Sequence, residues 1–344
     1  MRSSILTTIA AVLLALPVRS AAESPPPAPS AERVRQFQDL RFGMFICWSL
    51  STFSGYEWTP GVEDIDFFHP TGCDPDQWCA AAKDAGMTYI LFLTKHHDGF
   101  CLWDTATTDR KVSRTKALAG RDVLREVKQA CDKHGLKLAI YFSEGDWSWS
   151  PKRKDIHSPT AKRPDIKSAQ LRELLTNYGP IEYLWFDHAV GDGGLSHADT
   201  AALVKSIQPG CFVGFNHGPQ DGANLKIGER GKAAPLEAVD AATIGSADRA
   251  KFMREHQGYL AAEFTYPILE GQQQLKLRGA QWFYSLPEND QRAASAEKIF
   301  ADYQDAGKHR NLFALDVGPD RSGRLRKIDV ETLAKVGAMI RNSK

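Results

Sequence analysis

Eight stretches of this chain are apolar without alternation: "FGMFICWS" (42–49), "TYILFLT" (88–94), "LKLAIYFS" (136–143), "IEYLWFD" (181–187), "CFVGFN" (211–216), "LAAEFTY" (260–266), "QWFYSL" (281–286) and "NLFALDV" (311–317). A strand that meets water on one face alternates apolar and polar residues, and one covered on both faces does not. Eight such runs therefore call for a sheet buried on both sides. Segments of helical period lie between most of them. "DPDQWCAAAKDAG" opens on Asp74 as N-cap, carries Pro75 in its first turn and stops at Gly86. "GRDVLREVKQACDKHG" stops at Gly135, "SAQLRELLTNYG" at Gly179, and "SHADTAALVKSI" just before Pro209. "SAEKIFADYQDAG" and "IDVETLAKVGAMI" complete the set. Strands alternating with helices predict an α/β fold with a parallel sheet. The strand count, the length and the terminal helix suit a closed (β/α)8 TIM-like barrel in a single domain. The Gly-rich "GPQDGANLKIGERGKAAP", between the fifth and sixth runs, reads as a long functional loop.

Hydrophobic content of 42%, charged content of 25% and a net charge of +1 are ordinary for a globular protein. Without a basic excess there is no expectation of a nucleic-acid partner or an acidic membrane surface. The basic "PKRKDIHSPTAKRPD" reads as a solvated loop. Residues 1–22 have an early Arg2, an apolar run from Ile5 to Leu16 and then small residues, the pattern of a secretory signal peptide. The run is too short to cross a bilayer. A Pro-rich linker (23–34) follows, and then the barrel (35–344). The mature protein is expected to be secreted or periplasmic, without a membrane span. Six cysteines show no CxxC spacing, and Cys131 and Cys211 read as buried thiols. Cys73 with Cys79 is the one pair that merits a disulfide test. No GxGxxG follows the first strand and no P-loop is present, which lowers a nucleotide-cofactor reading.

In barrels of this kind the chemistry lies where strands end, at the C-terminal face. Polar residues collect there: Trp48 after the first run, Lys95-His96-His97-Asp98 after the second, Tyr141 and Glu144 near the third, and Asp187 at the fourth. Asn216 and His217 follow the fifth, Glu263 lies in the sixth and Asp316 in the eighth. In "TKHHDGF" the adjacent His96 and His97 would point apart on an extended backbone, and both line a pocket only if the chain turns at Asp98-Gly99. His96, His97 and Asp98 are too crowded for a normal metal site, whereas neutral imidazoles suit sugar hydroxyls. "GYEWTPG" pairs Glu57 with Trp58, a carboxylate and an aromatic face such as sugar rings accept. Retaining glycosidic hydrolysis needs two carboxyl groups roughly 5–5.5 Å apart. Asp187 is a first member, and Glu229, Glu263, Glu57 and Glu144 are candidates for the second.

"RFGMFICWS", "EWTPG", "DQWCAAAKDAGMTYILFLTKHHDGFCLWDT", "RDVLREVKQACDKHGLKLAIYFSEGDW", "LLTNYGPIEYLWFDH" and "NLFALDVGPDRSGRL" together resemble the α-L-fucosidases of glycoside hydrolase family 29, over about residues 35–340. The resemblance implies a (β/α)8-like catalytic barrel, a retaining double displacement, and neither metal nor cofactor. It places the nucleophile on Asp187. Sugar contacts fall on Glu57, Trp58, His96, His97, Tyr141 and Trp185, with Asn216 and His217 as further hydroxyl partners. "IGERG" resembles the acid/base stretch of the family's α-1,3/4-specific branch, which points to Glu229. "AAEFTYPI…QWFYSL" resembles that branch too and makes Glu263 the runner-up or a supporting residue. The expected partner is a fucosylated oligosaccharide or polysaccharide.

Two departures from the family pattern stand out. Members usually read H-W-G at the end of the first strand, where this chain has Cys47-Trp48-Ser49, and a thiol is a poor hydrogen-bond donor. The C-terminal β-sandwich common in the family is not expected here. Cys47 leaves open an α-L-galactoside or a sulfated fucose as the sugar. A non-catalytic carbohydrate-binding barrel and a metal-dependent amidohydrolase-type barrel are the readings from other classes.

Overall fold

The computed structural model describes residues 28–59, 62–149, 161–187, 192–216, 220–236, 258–269, 282–284 and 286–343. Its strands are β1 (Phe42–Ile46), β2 (Tyr89–Lys95), β3 (Lys137–Ser143), β4 (Tyr183–Asp187), β5 (Phe212–Phe215), β6 (Leu225–Glu229), β7 (Ala261–Pro267) and β8 (Leu312–Asp316). The helices described are α1 (Ala31–Gln38), α2 (Ser51–Ser54), α3 (Pro75–Asp84), α4 (Val123–His134), α5 (Pro164–Asn177), α6 (His197–Ile207), α7 (Ala296–His309) and α8 (Lys327–Asn342). The strands form one eight-stranded sheet in the order β5-β4-β3-β2-β1-β8-β7-β6, with every pairing parallel. Between β5 and β6 the barrel is joined by Asn224, whose backbone N–H donates to Val213 O (3.0 Å) and whose side-chain oxygen accepts from Val213 N (2.8 Å). The result is the nearly closed (β/α)8 barrel expected.

The helix starts follow the side chains at their caps. Asp74, Asp122, Ser196 and Ser295 accept from the N–H three residues on, at Gln77, Arg125, Asp199 and Lys298. Each such cap stabilises its helix by about 1 kcal/mol. Helix α5 starts at Pro164, four residues before the predicted segment, because proline is well placed in a first turn. Helix α1 begins at Ala31, inside the stretch that the sequence reads as linker. Its Phe37 is fully buried, stacking 3.8 Å from Phe212 and edge-on to Tyr183 at 5.7 Å. Arg33 on the same helix pairs with Glu182 at 2.7 Å.

Two corrections concern the strands. "LKIGE" is a strand, β6, not part of a loop, and the run at 260–266 is therefore the seventh strand. "QWFYSL" is not the seventh strand: its described residues Trp282–Tyr284 and Leu286 lie outside regular structure, and the first three are buried. β6 is short, holds a lysine and a glycine, and so lacks an apolar run. Its alternate residues do the packing, with Ile227 filling the space opposite Gly214, where an added Cβ would sit 2.5 Å from Ile227 Cδ1. The thiols are all free. Cys79 Sγ lies 3.9 Å from Cys131 Sγ, and Cys73, the partner to be tested for it, is a free thiol too. Among the described residues no helix is long and apolar enough to cross a membrane.

Candidate active site

Register places the site. On neighbouring strands Tyr141 is level with Trp185, and Ser143 with Asp187. Residues two apart share a face and parallel partners share it too, so all four turn inward. Phe142 and Phe186 turn outward, their rings 6.1 Å apart beneath the helices. β4 ends at the inward position 187. That answers why a run of buried aromatic residues closes on a carboxylate: the strand delivers Asp187 to the rim of the barrel interior.

The Asp187 carboxyl is mostly shielded, its side chain 14% exposed. Tyr141 donates its phenol to Oδ2 at 2.6 Å, and Asn216, just past β5, donates Nδ2–H to Oδ1 at 2.8 Å. Burial, and then the Asp187 charge, hold the Tyr141 phenol well above its ordinary value, so it stays a donor. The same Asn216 Nδ2 also donates to Glu229 Oε2 at 2.8 Å. The two hydrogens of one planar amide diverge by about 120°. That places the two acceptor oxygens roughly 5 Å apart, the spacing of a retaining carboxyl pair. Glu229 ends β6 as Asp187 ends β4.

Of the other acids considered for the second carboxyl, two are committed elsewhere. Glu144 is fully buried in an ion pair with Lys167, with His197 Nε2 at 3.3 Å. Glu263 is also fully buried, and accepts from Trp185 Nε1 at 3.1 Å. It faces inward two residues before Thr265, which is the register partner of Glu229, so it lies a layer below the Asp187–Glu229 bridge. Burial pushes its carboxyl up to about 8, with the Trp185 bond pulling against that. Trp185 in turn stacks on Tyr141 at 5.3 Å, and Phe45 completes the floor 5.6 Å from Tyr141 and 6.1 Å from Trp282.

Glu57 reaches the same cavity from the loop after α2, which Ser51 anchors by donating Oγ–H to Glu57 O at 2.8 Å. Burial pushes its carboxyl up to about 7. Arg230 opposes the rise, while the neighbouring Glu229 and Asp187 add to it. Trp58, next to it, is 40% exposed and stands at the mouth. The histidines come together as the turn requires. Register slips between Leu93 and Lys95, and the chain then turns at Gly99, whose φ is +77°. A Cβ at Gly99 would meet Asp146 Oδ1 at 2.2 Å, so only glycine fits. The His96 and His97 rings end 4.1 Å apart, with His97 Nε2 at 3.6 Å from Asp187 Oδ2.

Asp187, Glu229, Asn216, Tyr141, His97 and Glu57 thus share one cavity, and His96 and Trp185 line its wall and floor. His217, and the His188 that follows the nucleophile candidate, lie outside the described residues. Four neighbours went unassigned in the sequence: Ser143, Arg230, Trp282 and Phe283. Arg230 stands over the Trp282 ring at 5.0 Å, and Phe283 meets His96 edge-on at 5.1 Å. The i, i+2 spacing from Tyr141 was the available signal for Ser143. Cys47 is buried just past the end of β1, with its thiol bonded to Asp316 and with Asp187 and Glu57 near it. Burial first, then Asp316, pushes that thiol well up. Among the described residues no three His, Cys, Asp or Glu side chains are grouped as a metal ion would need.

Residues 20–343 match the profile of the family described as alpha-L-fucosidase. The chain belongs to the α-L-fucosidase family. Among its fucosidase relatives, alpha-L-fucosidase 1 of Arabidopsis thaliana is 29% identical over 329 residues, which is 91% of this chain and 60% of the plant protein. This chain therefore spans about three fifths of that relative's length. The plasma alpha-L-fucosidase of Homo sapiens is 29% identical over 189 residues, 46% of this chain and 39% of the human protein. In structure, alpha-L-fucosidase isoenzyme 1 from Paenibacillus thiaminolyticus superposes with a TM-score of 0.70 at 27% identity, covering 90% of this chain and 75% of that one.

Proposed function

We propose that this protein is a retaining exo-glycosidase that releases terminal α-L-fucose from oligosaccharides or polysaccharides. The observation that carries the reading is the single amide of Asn216 bonded to both Asp187 and Glu229, which spaces two carboxyls for double displacement. An Asp187 oxygen attacks the anomeric carbon while Glu229 gives its proton to the departing oxygen. The carbon–oxygen bond to the aglycone breaks as the bond to Asp187 forms. Water then attacks the same carbon, Glu229 takes its proton, and the bond to Asp187 breaks. Tyr141 and Asn216 stabilise the carboxylate each time it carries charge. Glu57, His96 and His97 receive ring hydroxyls, with His217 as a further partner, and Trp58 stacks at the mouth. Trp185, tied down by Glu263, supports the floor, and the C5 methyl of fucose meets the wall of Trp282 and Phe283.

"IGERG" supports membership of the α-1,3/4-specific branch, with Glu229 as acid/base. The apolar run within residues 1–22 supports export to the periplasm or the medium. Cys47, in place of the family's histidine, favours a second reading within the same chemistry, an α-L-galactoside or a sulfated fucoside. A substrate panel run on wild type and Cys47→His separates these sugars.

The mechanism is tested with an aryl α-L-fucoside and two variants. Asp187→Gly is expected to be inactive, and with azide to form the fucosyl azide of inverted configuration. Glu229→Gly with azide is expected to form the azide of retained configuration. Hydrolysis by Asp187→Gly without any added anion overturns the nucleophile assignment.

A further inference from the structure

We infer that Ser143 is a positioning residue that sets which nitrogen of His97 carries the proton, and so turns an acceptor, the Nε2 lone pair, toward the substrate side. The inference rests on the reading of His97 as a sugar contact. Ser143 Oγ lies 2.7 Å from Gly145 O, to which it donates its hydrogen. A hydroxyl has one hydrogen. Its second close contact, 2.6 Å to His97 Nδ1, therefore runs the other way, with Nδ1–H donating to Ser143 Oγ. A neutral imidazole has one N–H, so Nε2 is left with its lone pair.

The consequence lies at Asp187. Nε2 stands 3.6 Å from Oδ2, which already accepts from Tyr141, while Oδ1 accepts from Asn216. In that neutral tautomer His97 offers no N–H to the carboxylate and does not draw on the electron pairs that must attack carbon. It offers an acceptor to a sugar hydroxyl beside the nucleophile instead. The opposite tautomer would leave Nδ1 and Ser143 Oγ facing each other with no hydrogen between them, since the hydroxyl hydrogen goes to Gly145 O. Register explains why a serine stands there, since Ser143 is the strand partner of Asp187 and shares its inward face. The turn that presents Gly145 O is fixed by Glu144 N–H bonded to Asp187 O at 2.9 Å. Among the described residues, His96 at 4.1 Å and Trp147 at 5.3 Å between centroids also face the ring. Asp187 is a titratable neighbour, 3.6 Å from Nε2.

The test combines ring-nitrogen NMR with kinetics on the full chain. In 15N-labelled wild type, neutral His97 is expected as the Nδ1–H tautomer. Ser143→Ala is expected to show mixed tautomers and to lose about tenfold in kcat/KM on an aryl α-L-fucoside, chiefly through KM. Ser143→Thr, which keeps the hydroxyl, is expected to stay within about threefold of wild type. An Nε2–H tautomer in wild type overturns the inference without recourse to any variant. So does a Ser143→Ala protein with unchanged kcat/KM. If wild type cleaves no fucoside at all, the functional reading fails, and the wild-type spectrum still decides the role of Ser143.

Discussion

The Tyr141 phenol donates to Asp187 Oδ2 over 2.6 Å, across two strands whose register sets these residues two apart. A hydrogen bond to a charged acceptor contributes about 1.5–3 kcal/mol. Tyr141→Phe keeps the ring that stacks on Trp185 and removes only the donor. The expected result is a loss of about 10- to 100-fold in kcat/KM with little change in Tm. Equal kcat/KM in steady-state assays of the two proteins would show that the phenol does not serve the carboxylate.

Asn216 links the two carboxyls, and its replacement separates geometry from charge. Asn216→Ala is expected to lower kcat by about two orders of magnitude, since both acids lose a charge-assisted partner. Asn216→Asp is expected to be worse, because a third carboxylate then faces the other two. The rank order in turnover assays decides the point. An aspartate variant more active than the alanine one argues against the bridge.

Glu263 predicts how stability varies with pH. Its folded carboxyl titrates near 8 against an ordinary value of 4.5. Between those values the folded state holds a proton that the unfolded state has lost, so stability falls as pH rises through the window. The slope from one such group is about 1.4 kcal/mol per pH unit. Glu57, and Asp329 near 6, act in the same direction over narrower windows. Glu263→Gln keeps an acceptor for Trp185 and removes the ionisation. Urea unfolding from mildly acidic to mildly alkaline pH should therefore show a flatter decline for the variant. Parallel curves would mean that Glu263 ionises freely.

Burial pushes Cys73 and Cys211 to about 12, and Cys47 and Cys101 well up. Thiolate is the reactive form. Native protein treated with iodoacetamide at mildly alkaline pH is expected to leave these four unmodified, and denatured protein to label all six. Peptide mass spectrometry reads both. Rapid labelling of Cys47 in the native state would mean that its bond to Asp316 is open to solvent.

Most of the barrel was legible because covered parallel strands announce themselves by apolar runs and helices by their caps. β6 was hidden for a definite reason. Lys226 and Gly228 interrupt it, and its inward residues Leu225, Ile227 and Glu229 carry the pattern alone. Missing it moved Glu229 from a strand end into a loop, although Asp187 and Glu229 end strands in the same manner. Glu263 shows a different limit. Its sequence setting suits a catalytic acid, and only the register reveals that it lies a layer too low, under Trp185. The role of Ser143 depends on which atom holds a hydrogen, information that a one-letter code does not carry.

The join between β5 and β6 bears on how the two acids work together. Seven of the eight neighbouring strand pairs are laced by ladders, while the eighth is held by Asn224 near its base and by the Asn216–Glu229 bond at its rim. Asp187 and Glu229 stand on opposite sides of that slit. The gap between them is thus set at the one join in the barrel that has no strand ladder among the described residues. Under the proposed mechanism, that same gap has to accommodate first a sugar–protein ester and then a water molecule.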